Sequence, residues 1–203
     1  MFKLLLSFYF VFISFFSYFA QTHDLSLKLK KNEVYFHHVV VSMDIFDKTK
    51  GKTTKGNTTI ETSLNYKVSK VTKTGYIIDA RYNSMKMSVS TQGETVTYDS
   101  EIPNNEPVSI IFSGLAKSTF QIYLSKYGKI EKVIGIDNVI RTAIDELKLI
   151  SKNDKEAIFK EISTSLGEES FRGNFELLFA IYNEKPIQMN ESWSYTANIY
   201  QRY

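Results

Sequence analysis

Ile60-Glu-Thr-Ser-Leu-Asn-Tyr-Lys-Val-Ser-Lys-Val-Thr72, then Lys73-Thr-Gly75, then Tyr76-Ile-Ile-Asp-Ala-Arg-Tyr82 is the stretch that decides the fold. Ile60, Thr62, Leu64, Tyr66 and Val68 fall on one face, while Glu61, Ser63, Asn65, Lys67 and Ser69 fall on the other. Successive side chains of a strand point to opposite sides, so this period of two predicts a half-buried strand. Thr74-Gly75 reads as a tight turn. Tyr76, Ile78, Ala80 and Tyr82 resume the alternation on the way back. After Asn83 the apolar parity moves to Met85, Met87 and Val89. A slip of one residue predicts a β-bulge or a change of covering layer.

Toward the N-terminus, Val34–Phe46 is rich in β-branched and aromatic residues on both faces, which predicts a strand covered on both sides. Lys48–Gly56 is polar and holds two glycines. It reads as a loop or the end of a long hairpin, with its lysines in solvent. Toward the C-terminus, Gly93 marks a turn and Glu94–Tyr98 a short strand. Asp99–Pro107 is a loop, and Val108–Leu115 fits a strand and a short helix equally. Phe120, Ile122 and Leu124 alternate, and Tyr127-Gly128-Lys129 turns into Ile130–Ile134. The period then changes. Ile136, Val139, Ile140, Ala143, Ile144, Leu147 and Ile150 form one helical stripe. Asn153-Asp154 is placed to cap a second helix carrying Ala157, Ile158, Ile162 and Leu166, with Gly167 past its end. Phe171, Phe175, Leu178 and Tyr182 suggest a third helix, weakened by Gly173 and stopped by Pro186. Ser192–Tyr203 returns to strand character, with Trp193, Tyr195, Ala197 and Ile199 on one side.

The expectation is an α+β fold. A strongly curved, half-barrel-like antiparallel sheet of seven or more strands takes an inserted segment of two or three helices at about 136–182. Residues 21–203 form a single β-rich domain. Its last strand stops without a turn or polar tail, which leaves open whether further strands complete it.

Residues 1–20 set the address. Lys3 precedes an uncharged apolar run, Leu4–Ala20, which ends on a small residue. This is the layout of a secretory signal peptide cut after Ala20, and it predicts a secreted or periplasmic protein. The alternative is a membrane anchor through Leu4–Ala20, but that run is short for a span and broken by Ser7, Ser14 and Ser17. There are no cysteines, so neither disulfides nor a cysteine-borne lipid hold the mature chain. Its core must suffice. Cleavage removes one of the 25 basic residues, against 22 acidic ones. A net charge of about +2 gives no strong field for nucleic acid.

The chemistry-bearing residues form no constellation. His37-His38 are neighbours on a strand and point to opposite faces, so they do not chelate one metal readily, and His23 lies near the cleavage site. No nucleophile elbow, phosphate loop or dinucleotide fingerprint is present. Asp79 and Arg81 share a face and read as a solvated ion pair. Glu168-Glu169 open a helix, where its dipole favours them. Asn57-Thr-Thr and Asn190-Glu-Ser match the glycosylation sequon. Tyr66, Tyr76, Tyr82, Phe120, Tyr123, Phe171, Phe175 and Trp193 either fill the core or line an apolar hollow. No catalytic residue, metal ligand or cofactor is assigned, and the ligand-binding residues are unknown.

Taken in order, several segments resemble a family of uncharacterised exported proteins of Bacteroidetes-type bacteria, many of them lipoproteins. They are Leu25–Tyr35, Tyr76–Met87, Tyr98-Asp-Ser100, Phe120–Ile130 with Val133-Ile-Gly135, and Asn190-Glu-Ser-Trp193. The resemblance implies that Gly135 closes a strand before the helices and that Trp193 opens a second run of strands. It also implies a cell-envelope setting, without a mechanism. This chain lacks the lipidation cysteine. The expected function is non-enzymatic binding of a lipid or other apolar or amphipathic ligand between sheet and helices. The alternative is an envelope structural or protein-interaction module. A hydrolase without a local motif is the least supported reading, and oligomeric state is not specified.

Overall fold

Alternation and turn chemistry produce three long strands in sequence. The computed structural model describes residues 22–49, 52–102, 104–148, 150–179, 182–194 and 196. After β1 (Thr22–His23) come β2 (Val34–Thr49), β3 (Lys52–Val71) and β4 (Gly75–Thr91). All three are antiparallel neighbours. The stretch Lys48–Gly56, read as a loop or the end of a long hairpin, is the hairpin end and is mostly strand. Thr49 pairs with Lys52, so the hairpin runs to its tip. Threonines make this possible: their β-branched side chains suit an exposed pleated surface as well as a turn.

The parity change after Asn83 is a bulge. Leu64 pairs with Tyr82 but Ser63 pairs with Ser84, so Asn83 is the extra residue. The bulge carries Met85, Met87 and Val89 onto the face that Tyr82, Ala80 and Ile78 occupy below it. A second irregularity lies between Val68 and Lys70. Both bend the sheet.

β4 then serves two partners at different heights. Its distal half, Lys86–Thr91, pairs with β5 (Glu94–Asp99). Its proximal half, Gly75–Ala80, pairs with β6 (Phe120–Ser125), which pairs with β7 (Ile130–Ile134). Among the described residues the sheet has six strands, where the sequence predicts seven or more, and it is curved, antiparallel and open. The crossing of β4 and β6 is tight at Gly75. A Cβ there would lie 2.0 Å from the Leu124 carbonyl oxygen, so only glycine fits.

Four helices follow. α1 (Pro107–Leu115) resolves the ambiguous Val108–Leu115 as a helix, with proline at its first position, where no N–H bond is lost. α2 (Ile136–Asp145) starts at Gly135, whose φ of 89° closes β7. Its stripe faces the sheet as expected: Ile136, Val139, Ile140, Ala143 and Ile144, with Leu147 beyond its end, are all buried. α3 (Lys152–Leu166) is capped one turn earlier than expected. Ser151, rather than Asn153 or Asp154, is the N-cap, and its Oγ accepts the Asp154 N–H while donating to the Asp154 carboxylate. α4 (Glu168–Glu176) follows directly and continues as a 3-10 turn, Leu177–Phe179. The last three helices lie in the expected 136–182 segment.

The core lies between these helices and the proximal half of the sheet. Leu64, Val68, Phe120, Leu124, Ile130, Ile140 and Ile144 are almost wholly buried. Full burial of one such aliphatic or aromatic side chain stabilises by roughly 1.5–3 kcal/mol. The N-terminal segment is clasped to this core. Leu27 is buried, its carbonyl accepts the Tyr76 hydroxyl, and the same hydroxyl accepts the Leu29 N–H. β8 (Ile187–Gln188) pairs with β1 in a separate two-stranded ribbon. Of the expected strand Ser192–Tyr203, Ser192–Ser194 and Thr196 are described and form no strand; its other residues, and the segment 1–20 read as a signal peptide, lie outside the described residues.

Candidate interaction surface

Among the described residues β2, β7 and the short β5 each have a strand partner on one side only, and β2 and β7 differ. On β7 the outward amides are capped. The Ile130 N–H donates to the Glu176 carboxylate at 2.9 Å, and the Val133 N–H to the Glu168 carboxylate at 3.3 Å. Two acidic side chains of α4 thus occupy the donors that another strand would need. Glu168, read from sequence as a helix-opening residue, also has this second role.

At the other edge, no strand among the described residues pairs with the outer side of β2. The Val68 N–H donates to the Glu33 carbonyl, and the pairing then runs without interruption from Val34–Lys67 to Thr49–Lys52. Antiparallel pairs alternate between hydrogen-bonded and non-bonded. The odd residues of β2 therefore bond to β3, and the even ones, Val34 to Phe46, aim their N–H and C=O at the open edge. The even side chains share the outer face of the sheet. Val34 is 61%, Phe36 58%, Val40 55% and Phe46 60% exposed. This corrects the expectation of a strand covered on both sides. The neighbouring outer-face residues of β3 and β4 are polar: Glu61, Asn65, Lys67, Arg81 and Lys86. The apolar strip is confined to the edge strand.

The opposite face of the distal sheet is also largely uncovered. α1 reaches as far as Ser100, whose carbonyl accepts the Ser113 hydroxyl. Beyond it Val41, Ile45 and Val96 are exposed, and Met43, Ile60, Met87 and Val89 are half-buried. Natural edge strands are blunted by lysine, proline, bulges or inward charges. From Val34 to Phe46, β2 carries Asp44 as its one carboxylate and no lysine, proline or register shift.

The chemistry-bearing residues stay apart. His37 faces inward, and its Nδ1 is 2.7 Å from the Tyr66 hydroxyl; His38 faces outward, 3.0 Å from the Ser63 hydroxyl. Burial holds the His37 imidazole below its ordinary range and pushes the Tyr66 and Tyr82 phenols up, so these groups stay neutral at pH 7. Among the described residues no three histidine or acidic side chains converge on one point. Asp79 does not pair with Arg81 as expected. It accepts from Gln121 Nε2 at 2.9 Å and from Ser69 Oγ at 3.4 Å. Of the two sequons, Asn57 is tied to Asp44 and Ser42, whereas Asn190 sits exposed in a left-handed turn.

The aromatic residues mostly fill the core. Phe171 stacks on Phe175 at 4.1 Å, Phe120 meets Phe171 edge-on at 5.1 Å, and Tyr66 meets Phe175 and His37 edge-on. Tyr76 and Tyr82 are buried with them, Tyr123 is half-buried, and Trp193 is 40% exposed. A cleft of about 500 Å³ opens beside the capped β7 edge. Lys129, Arg172, Glu131 and Glu176 line it with both signs of charge. Among the described residues no helix is long and apolar enough to cross a membrane.

No curated protein and no solved structure matches the chain significantly. A family model does, over residues 73–203, so β2 and β3 lie wholly outside the matched part. That match spans more than half of the sequence, and the chain belongs to the family of unknown function DUF6263.

Proposed function

We propose that this is an exported, non-enzymatic binding protein of the cell envelope that engages protein partners through the uncovered end of its sheet. The observation that carries this reading is β2, an edge strand whose outer backbone groups meet no other strand among the described residues and whose apolar side chains are exposed on both faces. An incoming extended segment would gain main-chain hydrogen bonds, with Phe36, Val40 and Phe46 supplying contacts on alternate positions. The resemblance to exported proteins of Bacteroidetes-type bacteria and the apolar Leu4–Ala20 run support the envelope address.

An apolar ligand between sheet and helices has less support. The rings that would line such a hollow touch one another, and the cleft at β7 is lined by charges. The test is affinity capture from envelope fractions, with the full reading frame expressed in an exporting host. A partner enriched over a charge-matched control, and lost when Phe36 is replaced by lysine, is the expected result. Enrichment of nothing, together with co-purifying lipid in native mass spectrometry, would replace this reading with ligand carriage.

A further inference from the structure

We infer that the partner seated on β2 is a second copy of the same chain, joined by antiparallel pairing of β2 with β2 about a two-fold axis at Val41. This rests on the reading of β2 as a contact strand and names its occupant.

Backbone geometry limits the registers. Only even residues present free N–H and C=O groups, so even residues must face even residues. Of the registers that satisfy this, the one centred on Val41 sets the two phenylalanines opposite each other and a histidine opposite the carboxylate. With Val41 opposite Val41 of the other copy, Phe36 faces Phe46, His38 faces Asp44, and Val40 faces Ser42. On the other side of the sheet Val39 faces Met43 and His37 faces Ile45. Aromatic pairs and opposite-charge pairs directly across an antiparallel ladder stabilise it. Asp44 is already held as a carboxylate by Asn57 and Lys55, so it is ready to accept from an imidazole.

The charges of the flanking strands also fit. Each row across the junction runs from β3 through the two β2 strands to the other β3. The rows read Lys67, Val34, Lys48, Thr53; Asn65, Phe36, Phe46, Lys55; Ser63, His38, Asp44, Asn57; and Glu61, Val40, Ser42, Thr59. No two like charges are adjacent in any row. On the inner face Ile60 and Val41 meet Val41 and Ile60, joining the two uncovered distal faces into one apolar band. A two-fold pairing consumes the β2 edge of both copies and leaves the carboxylate-capped β7 edges and the short β5 edges outside it, so pairing through β2 closes at the dimer.

The chain has no cysteine, so single cysteines report the register directly. Val41 lies opposite itself in a non-bonded pair, with Cα atoms about 4.5 Å apart, within disulfide reach. Val40 is offset from its own copy by two residues and is out of reach. The full reading frame, expressed in an exporting host, should sediment with twice the chain mass at about 100 μM, a range suited to a small interface. Val41→Lys and Phe36→Lys should each sediment as monomers with unchanged melting. V41C should form a disulfide-linked dimer on mild oxidation, at least about tenfold faster than V40C or V96C. A monomeric wild-type protein, dimers that survive both lysine variants, or equal cross-linking of V40C and V41C would each overturn the inference. A monomer that still captures a different protein through Phe36 would leave the functional reading standing and remove the dimer alone.

Discussion

Gly114→Ala is the substitution on which local propensity and tertiary packing disagree most clearly. Gly114 lies inside α1, and a glycine there costs about 1 kcal/mol relative to alanine, so propensity alone makes the change stabilising. Packing opposes it. A Cβ at 114 would lie 2.6 Å from the Ala143 Cα and 2.8 Å from the Ala143 Cβ on α2. Carbon atoms rest at about 3.5–4.0 Å, so the helices must part by about 1 Å. Such a gap forfeits roughly a quarter to a half of each contact across it, and a buried aliphatic side chain makes 40–60 contacts of about 0.1–0.2 kcal/mol. If the equivalent of one side chain is affected, the loss is about 2–4 kcal/mol, and the net destabilisation about 1–3 kcal/mol. For a domain of this size that lowers Tm by about 2–12 °C. Differential scanning calorimetry on the purified protein measures it. Adding Ala143→Gly should restore less than half, because the Ala143 Cα remains in the way. An equal or higher Tm for Gly114→Ala would show that the helices separate freely and that the seam between α1 and α2 is not rigid.

Ile144→Asp places an unpaired carboxylate in the fully buried stripe of α2, and chemical denaturation should show a loss on the order of 3–5 kcal/mol. An unchanged midpoint would mean that the stripe is not core. Tyr76→Phe leaves the Leu27 carbonyl and the Leu29 N–H without their shared hydroxyl, at about 1–3 kcal/mol. Amide exchange should rise first across residues 25–32; exchange confined to the helices would contradict the clasp. His37 is held neutral by burial in the folded state and regains its ordinary pKa of 6.5 on unfolding. The unfolded chain therefore binds the extra proton, and stability should fall as pH drops below about 6.5, levelling off below the folded value. His37→Gln should flatten the urea-derived stability profile between pH 7.5 and 5. The paired carboxylates, Asp44 and Glu156, have lowered pKa values and act at more acid pH, outside this window. An unchanged slope would assign the dependence to other groups.

Much of this architecture is legible in the sequence because the physics is local. The period-two run Ile60–Tyr82 shows which side of β3 and β4 is buried, and the parity change at Asn83 marks a bulge or a change of covering layer, between which the β3–β4 register decides for the bulge. The α2 stripe is readable because seven apolar residues at helical spacing have one way to be buried together. What is not legible depends on partners distant in sequence. Val108–Leu115 has no decisive period, and Pro107 at the first helical position is the signal that separates helix from strand. Glycines at 51 and 56 suggest a loop, but pairing across the hairpin holds Gly56 in the ladder. The capping of β7 by Glu168 and Glu176 joins residues 35 and 46 positions apart, and no spacing rule finds it.

The same limit applies to the surroundings of β2, and it bears on what the strand is for. Apolar residues on both faces are the composition of a strand with neighbours on each side, whereas a solvent-facing edge strand usually carries charge or proline. β2 has the composition of an interior strand at an edge position. Two physical outcomes can accompany such a mismatch: aggregation through the edge, or a specific pairing that makes the strand interior. The opposite edge argues for the second, since there the chain spends two helix carboxylates on preventing addition. A protein that protects the β7 edge and leaves the β2 edge apolar and self-complementary has an asymmetry that general stickiness does not explain. In the two-fold pairing about Val41, β2 gains a neighbour on its open side and its side chains gain cross-strand partners on both faces.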